Sequence, residues 1–153
     1  MSLKFLRIFA TVLAALAMGM HLAHALELHP KRQWAPELYI AVQSTLYRLF
    51  AVIGPVLEVG ALVAVVVLCF KVRRLPVVRM LTLASAAAIG LALGVWGVAV
   101  LPAHTQLSAW IASGSVPADW ERWRDQWQFA QAAIFGLHLV GFTALVASAT
   151  ADH

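Results

Sequence analysis

Four long apolar runs, at residues 5–28, 49–70, 77–101 and 127–149, alternate along this chain with shorter stretches where charge and tryptophan collect. Each run holds at least about 20 residues, and at a rise of about 1.5 Å per residue each can cross a hydrocarbon core about 30 Å thick. The first run has a rival reading. Lys4 and Arg7, the apolar segment 8–20 and the small-residue pattern "AHA" at 23–25 resemble a secretory signal with its processing site. The apolar character continues through that site to Leu28, which favours a span. The expected fold is an all-α membrane protein, a bundle of four transmembrane helices forming one domain over residues 1–153.

The connections are patterned too. In "PELYIAVQSTLYRLF" apolar residues recur at helical spacing among polar ones, with Pro36 suited to a first helical turn, so a helix lying in the interface is expected before the second span. After the third span Pro102 is expected to close the helix. "HTQLSAWIAS" then forms a short helix of its own, "SGSVP" breaks it, and Pro117 restarts a helix leading into the fourth span. These short helices fall on the side that the charges below identify as outer.

Composition agrees with this pattern: 62% of the 153 residues are hydrophobic and 12% charged, against about 25% charged in soluble chains. The net charge of +4 comes without a basic run long enough to follow a nucleic-acid backbone, so the expected partners are the lipid bilayer and a small apolar substrate, not nucleic acid. Cys69 is the only cysteine, which excludes an intrachain disulfide and a thiolate-rich metal site. Lys71, Arg73, Arg74 and Arg79 crowd the connection between the second and third spans, and Lys4 and Arg7 precede the first. By the positive-inside rule this loop and both termini are cytoplasmic, as in a bacterial inner membrane. Trp34, Trp110, Trp120, Trp123 and Trp127 then lie in or beside the outer connections as an interfacial belt.

Ionisable residues within a span are costly and face the interior, where they pair or work. On the first helix His24 is flanked by His21 and Glu27, each about 60° away on the helical wheel. On the second, Tyr47, Ala51, Gly54, Glu58, Val65 and Cys69 share one stripe, and Pro55 frees a backbone carbonyl one turn earlier. Ala86, Gly90 and Gly94 on the third form a small-residue pattern for close packing. The fourth carries Arg124, Gln128, Gln131, Phe135 and His138 on one face. Rise arithmetic puts His21, Glu58 and His138 at similar depth, with His24, Glu27, His104, Arg124 and Gln131 nearer the outer surface. One connected cluster is expected, with His24 and Glu58 within about a helix diameter, roughly 12 Å, and at least one of His104, Arg124 or Gln131 joining it. His29 and His153 lie outside the spans and are expected to be solvated.

Imidazoles and carboxylates converging from several helices are how bundle-core metal sites are built, and imidazole suits copper, iron or zinc. His24, Glu27, Glu58 and His104 are the candidate metal ligands, for copper or iron. The Glu-x-x-His motif of di-iron bundles is absent; the first helix reads His-x-x-Glu. A second reading is a haem carrier with cofactor ligands His21, or His24, and His138. Cofactor-free chemistry is a third, and a non-catalytic accessory membrane protein a fourth. For Glu58 and Arg124 a purely structural ion pair is the alternative to a chemical role.

The segments "HALELHPKR", "AVQSTLYR", "LE" in the second span, "LPAHTQ" and "PADWERWRDQW" together resemble the anthrone-oxygenase-like family of small four-helix membrane proteins over nearly the whole chain. Members with an assigned activity oxidise polycyclic anthrones to quinones with molecular oxygen; most bacterial relatives have no assigned reaction. The resemblance implies a membrane oxidoreductase of oxygenase type acting on an apolar, aromatic substrate in an outward-facing pocket. It draws attention to His24, Glu27, Glu58 and Arg124. The implied catalytic set is His24 as base, Arg124 and Gln131 as donors to an enolate, and Glu58. The chain departs from the family pattern in carrying His104 where asparagine is frequent and Gln131 where histidine is frequent.

Overall fold

The computed structural model describes residues 2–151, and among them every regular element is helical. Helix α1 covers Leu3–Leu26, the short α2 Leu28–Lys31, α3 Pro36–Thr45, α4 Phe50–Lys71 and α5 Pro76–Val95; a π-helical turn, Trp96–Val100, leads into α6, Leu101–Ser113, and α7 runs from Trp120 to Thr150. The four membrane spans are α1, α4, the continuous rod Pro76–Ser113, and α7. His153 lies outside the described residues.

Local chemistry sets these boundaries. Ser2 caps α1 by accepting from the Phe5 N–H at 3.3 Å. Pro36 and Pro76 sit in first turns, where a missing N–H costs nothing. Gly114, at φ +67°, ends α6 in the left-handed conformation while its N–H bonds the Trp110 carbonyl at 2.9 Å.

The spans close into a ring in which α1 packs on α4 and α7, and α5 on α4 and α7. Alanines on α1 (Ala10, Ala14) and α4 (Ala61, Ala64) bring those two helices together around Leu6, Val65 and Leu68. At the α5–α7 crossing, a Cβ on Gly141 would stand 3.3 Å from both the Ser85 carbonyl oxygen and Ile89 Cγ1. That crossing, lined by Ser85, Ala88 and Ile89, is the close approach of this pair. The Ala86–Gly90–Gly94 row expected to make it does not: nothing lies within 4 Å of a Cβ on Gly90 or Gly94.

Pro102 does not close the third span. The Leu101 N–H bonds the Trp96 carbonyl, five residues back, and this wider turn accommodates the proline so that α5 and α6 form one rod of 38 residues. Gln126 on α7 donates to the Ala99 carbonyl at 2.9 Å, tying the widened turn to its neighbour. "HTQLSAWIAS" is therefore a continuation of the third span rather than a separate helix.

Candidate metal centre and cavity

α1, α4 and α7 bring His21, Glu58 and His138 to one point, all buried. One ligand atom from each lies within 4.8 Å of the others. His21 Nε2 contacts Glu58 Oε1, and His138 Nε2 stands 3.7 Å from the same oxygen. The two imidazoles stack, with centroids 5.1 Å apart and planes 13° from parallel. Gln131, about two helical turns from His138 along α7, accepts from His21 Nδ1 at 2.6 Å.

This last bond constrains the chemistry. With Nδ1 donating to the Gln131 carbonyl, a neutral His21 points the Nε2 lone pair at a carboxylate. Two electron-rich atoms face each other stably in a buried setting only with a cation between them, either a proton or a metal ion. Glu58 Oε2 and both ring nitrogens of His138 have no hydrogen-bond partner although they are buried. Such orphaned groups are costly, and a bound cation would satisfy several of them. Donors at about 2.1 Å from one ion stand at most about 4.2 Å apart, so a small side-chain rotation brings this set into range. Two histidines and one carboxylate, with another group orienting one imidazole, form a donor set suited to zinc, copper or non-haem iron. The stacked rings approach one point from the same side, which suits an ion rather than a porphyrin held between opposed imidazoles.

His24 belongs to a different group. One turn above His21, its ring packs against Trp127 at 4.8 Å, Tyr47 at 4.9 Å and Phe50 at 5.4 Å, and its Nδ1 stands 3.5 Å from Glu27 Oε2. The Tyr47 hydroxyl donates to Glu27 Oε1. Lys31, fully buried, places Nζ 2.7 Å from Glu27 Oε2, 3.9 Å from the Tyr47 ring centroid and 5.3 Å from that of Trp127. Burial pulls the Lys31 ammonium below its usual range, and Glu27 opposes that shift. The expected cluster is thus built as two adjoining groups on one cavity, with Gln131 joining that of Glu58 as expected. Glu58 takes His21, His138 and Gln131, whereas His24 takes Glu27, Lys31 and the aromatic rings, because Glu58 sits level with the deeper histidine of α1.

Arg124 joins neither. Its Nε donates to Asp125 Oδ1 at 2.9 Å, Nη1 stands 3.5 Å from Glu121 Oε1, and the guanidinium lies 4.8 Å from the Trp120 centroid; Arg32 reaches Asp125 Oδ2 at 3.3 Å. The alternative of a Glu58–Arg124 ion pair is not realised, since acids on Arg124's own helix hold it near the membrane end. His104 is exposed on α6 at the cavity described next, and among the described residues it does not come close enough to Glu27 and Glu58 to share an ion with them. Exposed His29 bonds Gln33 at 2.9 Å. Lys31 was not marked out by sequence, although its four-residue spacing from Glu27 is the signal that could have found it.

Both buried groups border one cavity of about 590 Å³. Its inner end is formed by His21, Glu58 and Gln131, its walls include Trp96, Trp127, Phe50 and Tyr47, and its rim carries Arg48, Ser44, His104 and Ser108. The π-helical turn contributes Trp96 and Val100, and the Pro55 region contributes Ala51 and Gly54. The volume is that of a small-molecule site.

The chain matches no protein-family model, no curated protein and no solved structure. Fold and site together define a four-helix membrane bundle with a buried His–His–Glu cluster able to hold a metal ion.

Proposed function

We propose that the protein is a membrane-embedded metal-binding oxidoreductase, with His21, Glu58 and His138 holding iron or copper and the adjoining cavity receiving an apolar, aromatic substrate. The convergence of these three side chains carries the reading. Bound there, the metal supplies redox chemistry in a site shielded from water. Gln131 fixes the tautomer and orientation of His21 and so acts as a positioning residue. His24 borders the cavity between the rim and the metal site, with Glu27 beside it, and can take a proton from substrate and pass it outward. This role agrees with the anthrone-oxygenase-like resemblance; Arg124, held by Asp125, Glu121 and Trp120, contributes stability at the membrane end instead.

A pure electron carrier is the second reading, favoured by the burial of all three ligands. Substrate-dependent oxygen consumption by the metal-loaded protein separates the two.

The test begins with purification in mild detergent and elemental analysis alongside absorption and electron paramagnetic resonance spectra. About one iron or copper per chain is expected. Glu58→Gln and His138→Ala should lose it, and Gln131→Leu should bind it about 10- to 100-fold more weakly, the usual cost of removing a partner that orients a ligand. Equal metal content in wild type and all three variants would sink the assignment.

A further inference from the structure

The cavity's shape and its unpartnered atoms specify more than an apolar occupant. On one side it is bounded by the first two turns of α4, on the other by α6, and α6 packs on the π-helical turn, α7 and α3. Ala51 on α4 and Ser108 and Ile111 on α6 line the cavity and are also exposed. Both helices belong to membrane spans, and neighbouring Val52, Ile53 and Val98 are 65%, 47% and 77% exposed. The mouth between α4 and α6 therefore lies at the tryptophan-rich end of the spans, bordered on its α4 side by an exposed apolar face suited to lipid.

Among the described residues, two buried side-chain oxygens border this space without a hydrogen-bond partner. Glu58 Oε2 is at the inner end, and Gln43 Oε1 on α3 is nearer the rim; Gln43 uses its amide nitrogen to bond the Tyr39 hydroxyl at 3.0 Å. Glu58 is 2% exposed and Gln43 8%. Unsatisfied acceptors in an apolar setting are costly unless a ligand supplies donors. Between them stand aromatic faces, Trp96, Trp127, Phe50 and Tyr47, suited to a flat ring.

We propose that the cavity binds a lipid-soluble dihydroxyaromatic of the hydroquinone type, which enters from the bilayer between α4 and α6 and donates one hydroxyl to Glu58 Oε2 and the other to Gln43 Oε1. This rests on reading the cavity as the substrate site, and it holds whichever metal occupies the histidine cluster. A molecule with one hydroxyl leaves one acceptor bare, and one without hydroxyls leaves both.

The experiment is equilibrium binding of tritiated decyl hydroquinone, its monomethyl ether and its dimethyl ether to full-length protein reconstituted in vesicles. Oxygen is excluded, and metal-loaded and chelator-treated samples are run in parallel. Each methylation should weaken binding about five- to tenfold, the worth of one hydrogen bond. Gln43→Leu should reduce binding of the diol by that factor and remove the first step of the series. Ala51→Trp should lower binding at least about tenfold by filling the mouth, and Ser108→Trp, from the opposite rim, should act alike. Equal binding of the diol and the dimethyl ether, an unchanged series in Gln43→Leu, or full binding in both tryptophan variants would each overturn the proposal. A preserved series in protein that never takes up metal would defeat the metal assignment and leave this one standing; metal uptake without the series would do the reverse.

Discussion

At the residue scale, the group around Lys31 shows how a charge is held at the membrane boundary. Glu27 neutralises the ammonium, and the faces of Tyr47 and Trp127 cover it, a cation–π arrangement that strengthens as water is excluded. The carboxylate also holds the Tyr47 proton. Burial first, and then the hydrogen bond to Glu27, push the Tyr47 phenol upward; burial does the same to Tyr39. Below the ordinary tyrosine value near 10, these protonated phenols contribute their full stabilisation. As pH rises past that value the unfolded chain ionises and the folded one does not, so stability falls through the window up to the raised folded values. These are the only two tyrosines, which makes the measurement clean. A phenolate absorbance titration of the native protein should show no ionisation at pH 10 and then a rise that coincides with loss of helical circular dichroism. Ordinary titration around pH 10 in the folded state would refute the packing described for both. The Glu27–Lys31 spacing was visible in sequence, but the burial of Lys31 depends on rings contributed by residues 47 and 127. The helical wheel likewise placed His21 and His24 on one face without deciding which would meet Glu58, because that depends on how deep α4 sits against α1.

At the scale of elements, small residues proved meaningful only where two backbones meet. The row Ala86, Gly90 and Gly94 had the spacing of a packing motif, yet α5 presents Thr82, Ser85, Ala88, Ile89 and Ala92 to the interior, and Gly94 is exposed. The glycine that matters is Gly141, whose lack of a side chain lets α7 reach the Ser85 carbonyl. Gly141→Leu should therefore destabilise the protein by about 1–3 kcal/mol through overpacking, read as a lower unfolding midpoint in detergent. Gly94→Ala meets nothing and should be neutral or stabilising by up to about 1 kcal/mol from helix propensity. An unchanged midpoint in Gly141→Leu together with a lowered one in Gly94→Ala would show that the crossing lies elsewhere. The lengths of the four apolar runs and the helical stripe through Glu58 were legible because hydrophobic periodicity states them directly. The π-helical turn was not: Pro102 alone suggests an ending, and the continuation depends on α7, where Gln126 bonds the Ala99 carbonyl.

At the scale of the whole molecule, the two ends of the bundle handle charge differently, and this decides which way the cavity should face. At the end holding the α4–α5 turn and the start of α1 lie Lys4, Arg7, Lys71, Arg73, Arg74 and Arg79, and no acidic residue occurs in segments 2–20 or 70–80. At the tryptophan-rich end Lys31 is paired with Glu27, Arg32 with Asp125, and Arg124 with Asp125 and Glu121. Under the positive-inside rule the expected orientation has both termini and the Arg73–Arg74 turn on the cytoplasmic side, which would put the cavity in the outer half of the membrane. The expected result comes from single cysteines placed in a Cys69→Ala background and probed with a membrane-impermeant maleimide on intact bacterial cells. Ser115→Cys, in the exposed turn after Gly114, should label at once, whereas Arg74→Cys should label only after lysis. The reverse pattern would invert the molecule and give its metal site and cavity to the cytoplasmic leaflet, leaving the helix packing untouched but removing any case for a substrate drawn from the outer one.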